Sequence, residues 1–213
     1  MRRILPYAAA AFVAVVATPI VLAQGGSAPG APDKSRVTAG TYAADAGHTM
    51  VVWEVDHLGF SHYTGIFGDV TGTLVIDPKN LAAAKVDVTI PVSKVTTASA
   101  GLTSHLLRAG KDGGKPDFFG ANPADARFVS TSVVLDDDGD EAKVTGNLTL
   151  NGVTKPVTLD VDFHGAGMGM TKKETIGFQA ETTIKRSDFG VNMGIPYVSD
   201  AVELEIHAAF EKQ

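Results

Sequence analysis

The sequence contains no cysteine in its 213 residues. This absence excludes disulfide bonds, thiolate metal sites, cysteine nucleophiles and a lipid-modified N-terminal cysteine. Runs of basic residues are also absent, and 18 lysines and arginines stand against 24 aspartates and glutamates, for a net charge of −6. Because no cationic stretch is available to contact phosphates, we do not expect a nucleic-acid partner.

The sequence also lacks the short motifs that mark several common enzyme classes. It has no Gly-x-Ser-x-Gly elbow, no His-Glu-x-x-His pair and no phosphate-binding loop. His48, His57 and His62 lie close together in sequence, but their spacing on and beyond a strand does not direct three rings to one place. We therefore expect neither catalysis nor a bound metal or other cofactor.

The first 37 residues differ in composition from the rest of the chain. Two arginines precede a mostly apolar, uncharged run from Ile4 to Leu22, and small residues occupy the cleavage-determining positions up to Ala23. This pattern predicts a signal peptide over residues 1–23 and a periplasmic or secreted protein, with an uncleaved membrane anchor as the alternative. Residues 24–37 are rich in Gly, Pro, Ser and Ala, which predicts a flexible linker.

From residue 38 onward, apolar and polar residues alternate in one segment after another. Val157–His164, Ile176–Ile184 and Val202–Ala208 show this alternation, which gives each strand one dry face and one wet face. Asn151-Gly152 joins two alternating segments and is a strong signal for a tight hairpin. We predict an all-β domain over residues 38–213, a closed or nearly closed antiparallel barrel of about eight strands. Further strands are predicted at Val51–His57, Tyr63–Val70, Leu74–Ile76, Lys85–Ile90, Phe128–Leu135 and Val144–Leu150.

One interval, Ser93 to Asp125, interrupts the strand pattern. A short helix is predicted over Ala98–Leu107, and a glycine-rich loop follows at Gly110 to Pro116. An excursion of this length is uncommon inside a compact domain unless it has a function. A lid over one end of the barrel is one interpretation of it.

The strand Val51–His57 carries the first candidate binding residues. Val51, Trp53, Val55 and His57 share one face of this strand, which we expect to point inward. Trp53 is the only tryptophan, and its ring suits the wall of an apolar tunnel, although it could equally fill a solid core. Both remain open, because eight strands enclose a space that side chains either fill or leave for one ligand.

Two polar residues also have inward parity. His57 could hydrogen-bond the head group of a ligand, or it could be satisfied by backbone groups at the end of its strand. Arg186 shares the parity of Ile184, and a buried guanidinium must be paired. Its partner would be Asp188 or Asp200 in a structural role, or an anionic head group in a binding role.

Several phenylalanines belong with the excursion and the open end of the barrel. We expect them to cluster there, either as a seal between lid and barrel or as the contacts of a lid that admits a lipid. They are Phe60, Phe67, Phe118, Phe119 and Phe128.

Several ordered motifs carry a resemblance to a known family. They are VVWEVDHLGF at residues 51–60, Asp117-Phe118-Phe119, GNLTLNGVTKPV at residues 146–157 and RSDFG at residues 186–190. In this order, over about Thr41 to Phe210, they resemble the YceI-like family. The resemblance implies a secreted lipocalin-like barrel associated with polyisoprenoid binding.

The excursion departs from the pattern of that family. The family usually has an Arg-Asp pair shortly before the His-Leu of this segment, whereas Leu102-Thr103-Ser104 precedes His105 here. An insert, Ala109 to Pro116, also separates Arg108 from Asp117. Both differences fall on the segment interpreted as a lid.

We therefore predict binding, sequestration or transport of a long apolar lipid, such as a polyisoprenoid or a quinone-like molecule. The alternatives are an enzyme that acts on such a lipid and a structural, adhesive or stress-response barrel without ligand. Dimerisation through the barrel faces is compatible with the sequence. The candidate ligand-binding residues are Val51, Trp53, Val55, His57, Phe60, Phe67, His105, Phe118, Phe119, Phe128, Phe178, Ile184 and Arg186.

Overall fold

The computed structural model describes residues 27–136, 139 and 141–213. The predicted signal peptide, residues 1–23, lies outside the described residues. The strands are β1 (Gly30–Ala31), β2 (Gly40–Ala44), β3 (Met50–His57), β4 (Ser61–Phe67), β5 (Thr71–Ile76), β6 (Lys85–Ile90), β7 (Val95–Thr97), β8 (Ala126–Leu135), β9 (Glu141–Leu150), β10 (Val153–Met168), β11 (Glu174–Lys185) and β12 (Ala201–Lys212).

Eight of these strands close into an antiparallel barrel. The order around the ring is β2, β5, β6, β8, β9, β10, β11 and β12, and β12 pairs with β2 to complete the circle. The predicted all-β barrel of about eight strands is therefore confirmed. Closure satisfies the backbone groups of both edges, which an open sheet would leave unpaired.

Three strands form an extension of this barrel. Residues 210–212 of β12 pair with β2, while its residues 203–207 pair with β3. From β3 the pairing continues through β4 to β7. The helix α1 (Ala100–Leu106) packs beside β7, and Ser99 caps its start by accepting a hydrogen bond from Leu102 N. In the described part of the chain, no helix is long and apolar enough to cross a membrane.

Local backbone geometry sets the ends of two predicted elements. Asn151 and Gly152 both have positive φ, of 52° and 76°, as the tightest hairpin turn requires, so the predicted hairpin is confirmed. The strand predicted at Tyr63–Val70 is instead β4, Ser61–Phe67. It ends early because Asp69 has a φ of 56°, which turns Val70 into the core.

Part of the predicted linker, residues 24–37, belongs to the fold. β1 pairs with Ala166 and Gly167 of β10, and Lys34 Nζ donates a 2.7 Å hydrogen bond to the carbonyl of Gly139. The flexible-linker prediction is thus wrong for this stretch. A strand of two residues carries no alternation, so its pairing has no signal in the sequence. We call this segment, Gly30–Arg36, the strap, and the barrel end beside it the strap end.

A polar network stabilises the chain near the strap end. Glu174 accepts hydrogen bonds from Thr38 N at 2.7 Å and from the buried Tyr42 Oη at 2.5 Å, and Lys212 Nζ lies 3.4 Å away. Burial acts to raise the pKa of Glu174, but the hydrogen bonds from Thr38 and Tyr42 and the charge of Lys212 outweigh it. The pKa of Glu174 falls from 4.5 to about 2 as a result.

Replacing Glu174 by glutamine should remove a pH-dependent part of the stability. Because its pKa is lower in the folded state, ionised Glu174 stabilises the fold above pH 4.5, and this contribution is lost as the pH falls toward 2. We expect E174Q to lower the free energy of unfolding by about 1–3 kcal/mol at pH 7. Urea denaturation between pH 2 and 7 should show a smaller difference between the two proteins at low pH.

The control for this experiment is Glu203→Gln, which removes the same carboxyl group from an exposed position on β12. It should leave the free energy of unfolding at pH 7 nearly unchanged. A wild-type and an E174Q curve that stay parallel down to pH 2 would contradict the assignment of this network.

Candidate ligand-binding cavity

A cavity of about 880 Å³ runs through the barrel. Lys34 and Gly139 line it at the strap end, and Met193 and Val198 line it at the opposite end. We call the latter the arginine end, because Arg186 lies there. The volume is in the upper part of the range of small-molecule sites, roughly 300–1,000 Å³. The side chains therefore leave the barrel centre open rather than filling it.

The wall of the cavity is apolar along most of its length. Leu74, Val144, Leu159, Ile206 and many similar side chains line it. The ionisable side chains in the lining are few, and most come from residues at the barrel ends and on α1: Lys34, His57, Tyr63, His105, Glu141 and Arg186. This distribution fits a long apolar molecule with a polar group at one end.

The predicted binding residues come from different elements but share this cavity. Twelve of the thirteen line it, on β3, β4, β8, β11, α1 and the two loops that follow α1 and β11. They are Val51, Trp53, Val55, His57, Phe67, His105, Phe118, Phe119, Phe128, Phe178, Ile184 and Arg186. Whether they contact a ligand stays a prediction.

Phe60 is the residue that the structure places elsewhere. It follows a tight turn in which Leu58 and Gly59 have φ of 63° and 69°, and its side chain is 88% exposed. This turn directs Phe60 out of the barrel, so it does not belong to the cavity lining. The prediction that it clusters with the other phenylalanines is wrong, because alternation does not continue through a turn.

Two glycines make room for aromatic rings in the wall. A Cβ atom at Gly65 of β4 would lie 2.1 Å from Trp53 Cζ2, and one at Gly146 of β9 would lie 2.4 Å from Phe128 Cζ. Both distances are far below van der Waals contact. Each ring therefore lies over the backbone of the neighbouring strand, which keeps it close to the wall.

Two polar atoms in this region have no hydrogen-bond partner among the described residues. They are the indole Nε1 of Trp53 and the phenol oxygen of Tyr63, both buried in residues that line the cavity. Tyr63 lies opposite Val55 in the β3–β4 register, and Trp53 lies opposite Gly65. Since an unpaired buried polar atom is costly, a guest that supplies an oxygen here would gain binding energy.

Arg186 holds the loop at the arginine end. Its guanidinium donates to the carbonyls of Val191, Met193, Val198 and Ser199 at 2.8–3.0 Å. Arg186 is only 6% exposed, and burial lowers its pKa, while the charge of Asp200 acts in the opposite direction. Four carbonyl oxygens thus replace water around the charge and fix the path of residues 191–199.

Arg186 has neither of the partners that the sequence indicated for its structural role. Neither Asp188 nor Asp200 is its hydrogen-bond partner; the carboxylate of Asp200 instead accepts from Ser187 N at 2.9 Å and Ser187 Oγ at 2.7 Å. The expectation of an arginine–carboxylate pair is therefore corrected. Sequence reasoning missed the carbonyls because every residue has one, and only the loop conformation brings these four together.

The segment after α1 closes on itself through charged groups. His105 Nε2 and Arg108 Nη2 lie 2.7 and 3.1 Å from Asp117 Oδ2. The hydrogen bond with His105, and then the one with Arg108, lower the pKa of Asp117. The insert Ala109 to Pro116 is the loop between these partners. Phe118 packs edge-on against His105, with ring centroids 5.2 Å apart. The aromatic end of this segment is thereby held against the cavity.

Several lining residues were not among the sequence candidates. Tyr63 had a usable signal, because it shares the parity of Gly65 and Phe67 on β4. Met193 and Val198 had none, since they lie in a loop without periodicity. Their place in the lining follows from the Arg186 hydrogen bonds.

Gly65→Ala should displace the ring of Trp53. The added methyl group has no space beside the ring, so we expect a loss of about 1–3 kcal/mol in the free energy of unfolding. Trp53 is the only tryptophan, so its fluorescence reports the move directly. Gly68→Ala is the matched control, because nothing lies within 4 Å of a Cβ atom there. Equal emission spectra in both variants would contradict the packing described.

Arg186→Met should destabilise the protein strongly. It leaves four carbonyls at the arginine end without their donor, and each buried acceptor left unpaired costs about 1–3 kcal/mol. Arg127→Met is the control, because the Arg127–Asp87 pair is largely exposed and such pairs contribute about 0–1 kcal/mol. Chemical denaturation gives both values. Similar losses of unfolding free energy in the two variants would contradict a special role for the hydrogen bonds of Arg186.

Comparison with known proteins gives a consistent result. A model of the YceI-like domain matches residues 42–210 of the chain. The chain is 42% identical over 160 residues to protein YceI of Escherichia coli, which covers 75% of this chain and 79% of that protein. The match includes most of the barrel strands described above.

Solved structures show the same architecture. The Campylobacter jejuni YceI protein superposes with a TM-score of 0.61 at 32% identity, covering 74% of this chain and 90% of that one. A polyisoprenoid binding domain from Saccharophagus degradans, implicated in plant cell wall breakdown, gives a TM-score of 0.57 over 81% of this chain and 98% of that one. At 16% identity, this second likeness concerns the fold.

Proposed function

Because the chain belongs to the YceI-like family, we propose that it binds a long apolar lipid of the isoprenoid type inside its barrel and sequesters or transports it. The observation that carries this proposal is the apolar cavity of about 880 Å³ that runs between the barrel ends. The Saccharophagus degradans domain of the same fold is described as binding polyisoprenoids, and this supports the choice of lipid class.

The chemistry of the wall supports an extended hydrocarbon guest. Each Å² of apolar surface that leaves water contributes about 25 cal/mol, before the cost of ordering the guest. A branched isoprenoid chain has no polar group along its length, so it leaves no unpaired atom against the apolar wall. The closed barrel shields such a chain from water on all sides.

The polar atoms of the lining support a guest with an oxygen-bearing head. Trp53 Nε1 is a donor, and the Tyr63 hydroxyl both donates and accepts. A quinone-like lipid supplies two carbonyl acceptors and is therefore our proposed form of the head group. Arg186 already donates to four carbonyls, so it does not require an anionic head.

Export to the periplasm or outside the cell is part of this proposal, and it rests on the predicted signal peptide. Dimerisation through the barrel faces remains a further proposal. The enzymatic alternative would use Arg186 as a reacting group, whereas its guanidinium is engaged by four backbone carbonyls. A ligand-free barrel with a filled core does not fit the cavity.

Filling part of the cavity should weaken lipid binding without unfolding the barrel. Ala208 lies on the inner face of β12, opposite Phe178 of β11, and lines the cavity. Ala208 packs at the edge of the core cluster that includes Phe210, and a phenylalanine there would project its ring into the cavity. We expect a folded A208F protein that binds at least tenfold more weakly. Binding of an isoprenoid quinone is measured by quenching of Trp53 fluorescence, and binding of a long-chain polyprenol by its competition with the quinone, both in detergent.

Thr183→Phe is the matched control, because it adds the same ring to the exposed outer face of β11. It should bind both probes as the wild type does. Mass spectrometry of organic extracts from protein purified from its native source identifies the natural guest. Equal affinity in A208F and wild type, or extracts without any lipid, would contradict the proposed function.

A further inference from the structure

Two loops at the arginine end expose large apolar side chains next to the cavity. Phe60 and Tyr197 are 88% and 72% exposed, and Leu58 and Met193 are 47% and 45% exposed. The loops touch each other, since Leu58 N donates a 2.7 Å hydrogen bond to the carbonyl of Tyr197. His57 also forms an isolated bridge with Val198. The four exposed side chains therefore belong to one surface, which we call the apolar rim.

The apolar rim is continuous with the cavity. Met193 belongs to both, because it lines the cavity and is 45% exposed. His57 and Val198, which join the two loops, also line the cavity. An apolar surface therefore extends from the barrel interior to the outside at this end.

The loops that bear the rim carry no charged residue. Neither residues 58–61 nor residues 189–199 contain Asp, Glu, Lys, Arg or His. Asp56, His57 and His62 flank the first loop in sequence, and Lys185, Arg186, Asp188 and Asp200 flank the second. The guanidinium of Arg186 is buried against carbonyls, so the three aspartates outnumber the one lysine among the other flanking groups. The loops can thus leave water without desolvating a charge.

From this surface we infer that the apolar rim docks on a lipid bilayer and places the end of the cavity against it. Aromatic side chains such as Phe60 and Tyr197 are favoured at the membrane–water interface. The flanking aspartates and the net charge of −6 favour zwitterionic over anionic lipid. A lipid could then pass between bilayer and cavity without exposing its chain to water.

Arg186 gives this surface its rigidity. Its hydrogen bonds to the carbonyls of Met193 and Val198 hold the second loop in place, so the rim needs little ordering on contact. A rigid loop presents the same side chains before and after docking. The rim differs in this respect from the hairpin at the strap end. Met170 of that hairpin is 93% exposed, and no buried arginine holds the hairpin among the described contacts.

The test is binding to phosphatidylcholine vesicles by flotation, with protein purified after export and its N-terminus checked by intact mass. We expect wild type and the control Met170→Asp to float with the vesicles. F60D/Y197D should partition at least tenfold more weakly, and the neutral F60S/Y197S should show a smaller loss. Circular dichroism checks that each variant is folded. Replacing half of the lipid with phosphatidylglycerol should weaken wild-type binding at low salt.

The inference rests in part on the proposed lipid-carrier function, so loading is measured separately. Polyprenol binding in detergent should be the same in F60D/Y197D and in wild type. Failure of all proteins to load would contradict the carrier function alone, whereas equal flotation of all variants, or of none, would overturn the docking surface. Loss of a dimer in sedimentation by F60D/Y197D, without an effect on flotation, would assign the rim to a second copy of this chain and also overturn it.

Discussion

The width of an eight-stranded barrel is the constraint on which this molecule depends. Such a barrel is narrow enough that ordinary core side chains can fill it. Here two of the large rings in the wall, Trp53 and Phe128, lie over glycines of the neighbouring strands, at Gly65 and Gly146. A methyl group at either glycine would push a ring away from the wall. The glycines at these two positions thus help to keep the cavity open.

The arginine end depends on a second constraint, the need of a buried charge for partners. A guanidinium has five donors and no acceptor, and inside a protein they must all be used or solvated. Arg186 meets this need with the carbonyls of a loop that has no regular structure. These hydrogen bonds fix the path of the loop backbone, while its side chains line the cavity or face outward.

The sequence predicts the barrel well because its signals are repetitive. Alternation in β10, β11 and β12, the hairpin at Asn151-Gly152 and the inward parity of Trp53 and Phe178 all follow from one period of two. The errors lie where that period stops. Phe60 follows a turn, the strap contains a strand of two residues, and Arg186 binds backbone oxygens that no residue type identifies.

The two barrel ends differ in chemistry, so they are not equivalent as entrances to the cavity. At the strap end, Lys34 reaches the carbonyl of Gly139, and Glu174 is held in a network of charges and hydrogen bonds nearby. Charged groups of this kind are costly to remove from water. The loops of the arginine end carry no charge and expose Phe60 and Tyr197. For the lipid guest that we propose, the uncharged loops of the arginine end present a lower electrostatic barrier than the strap end, and we expect the guest to exchange there.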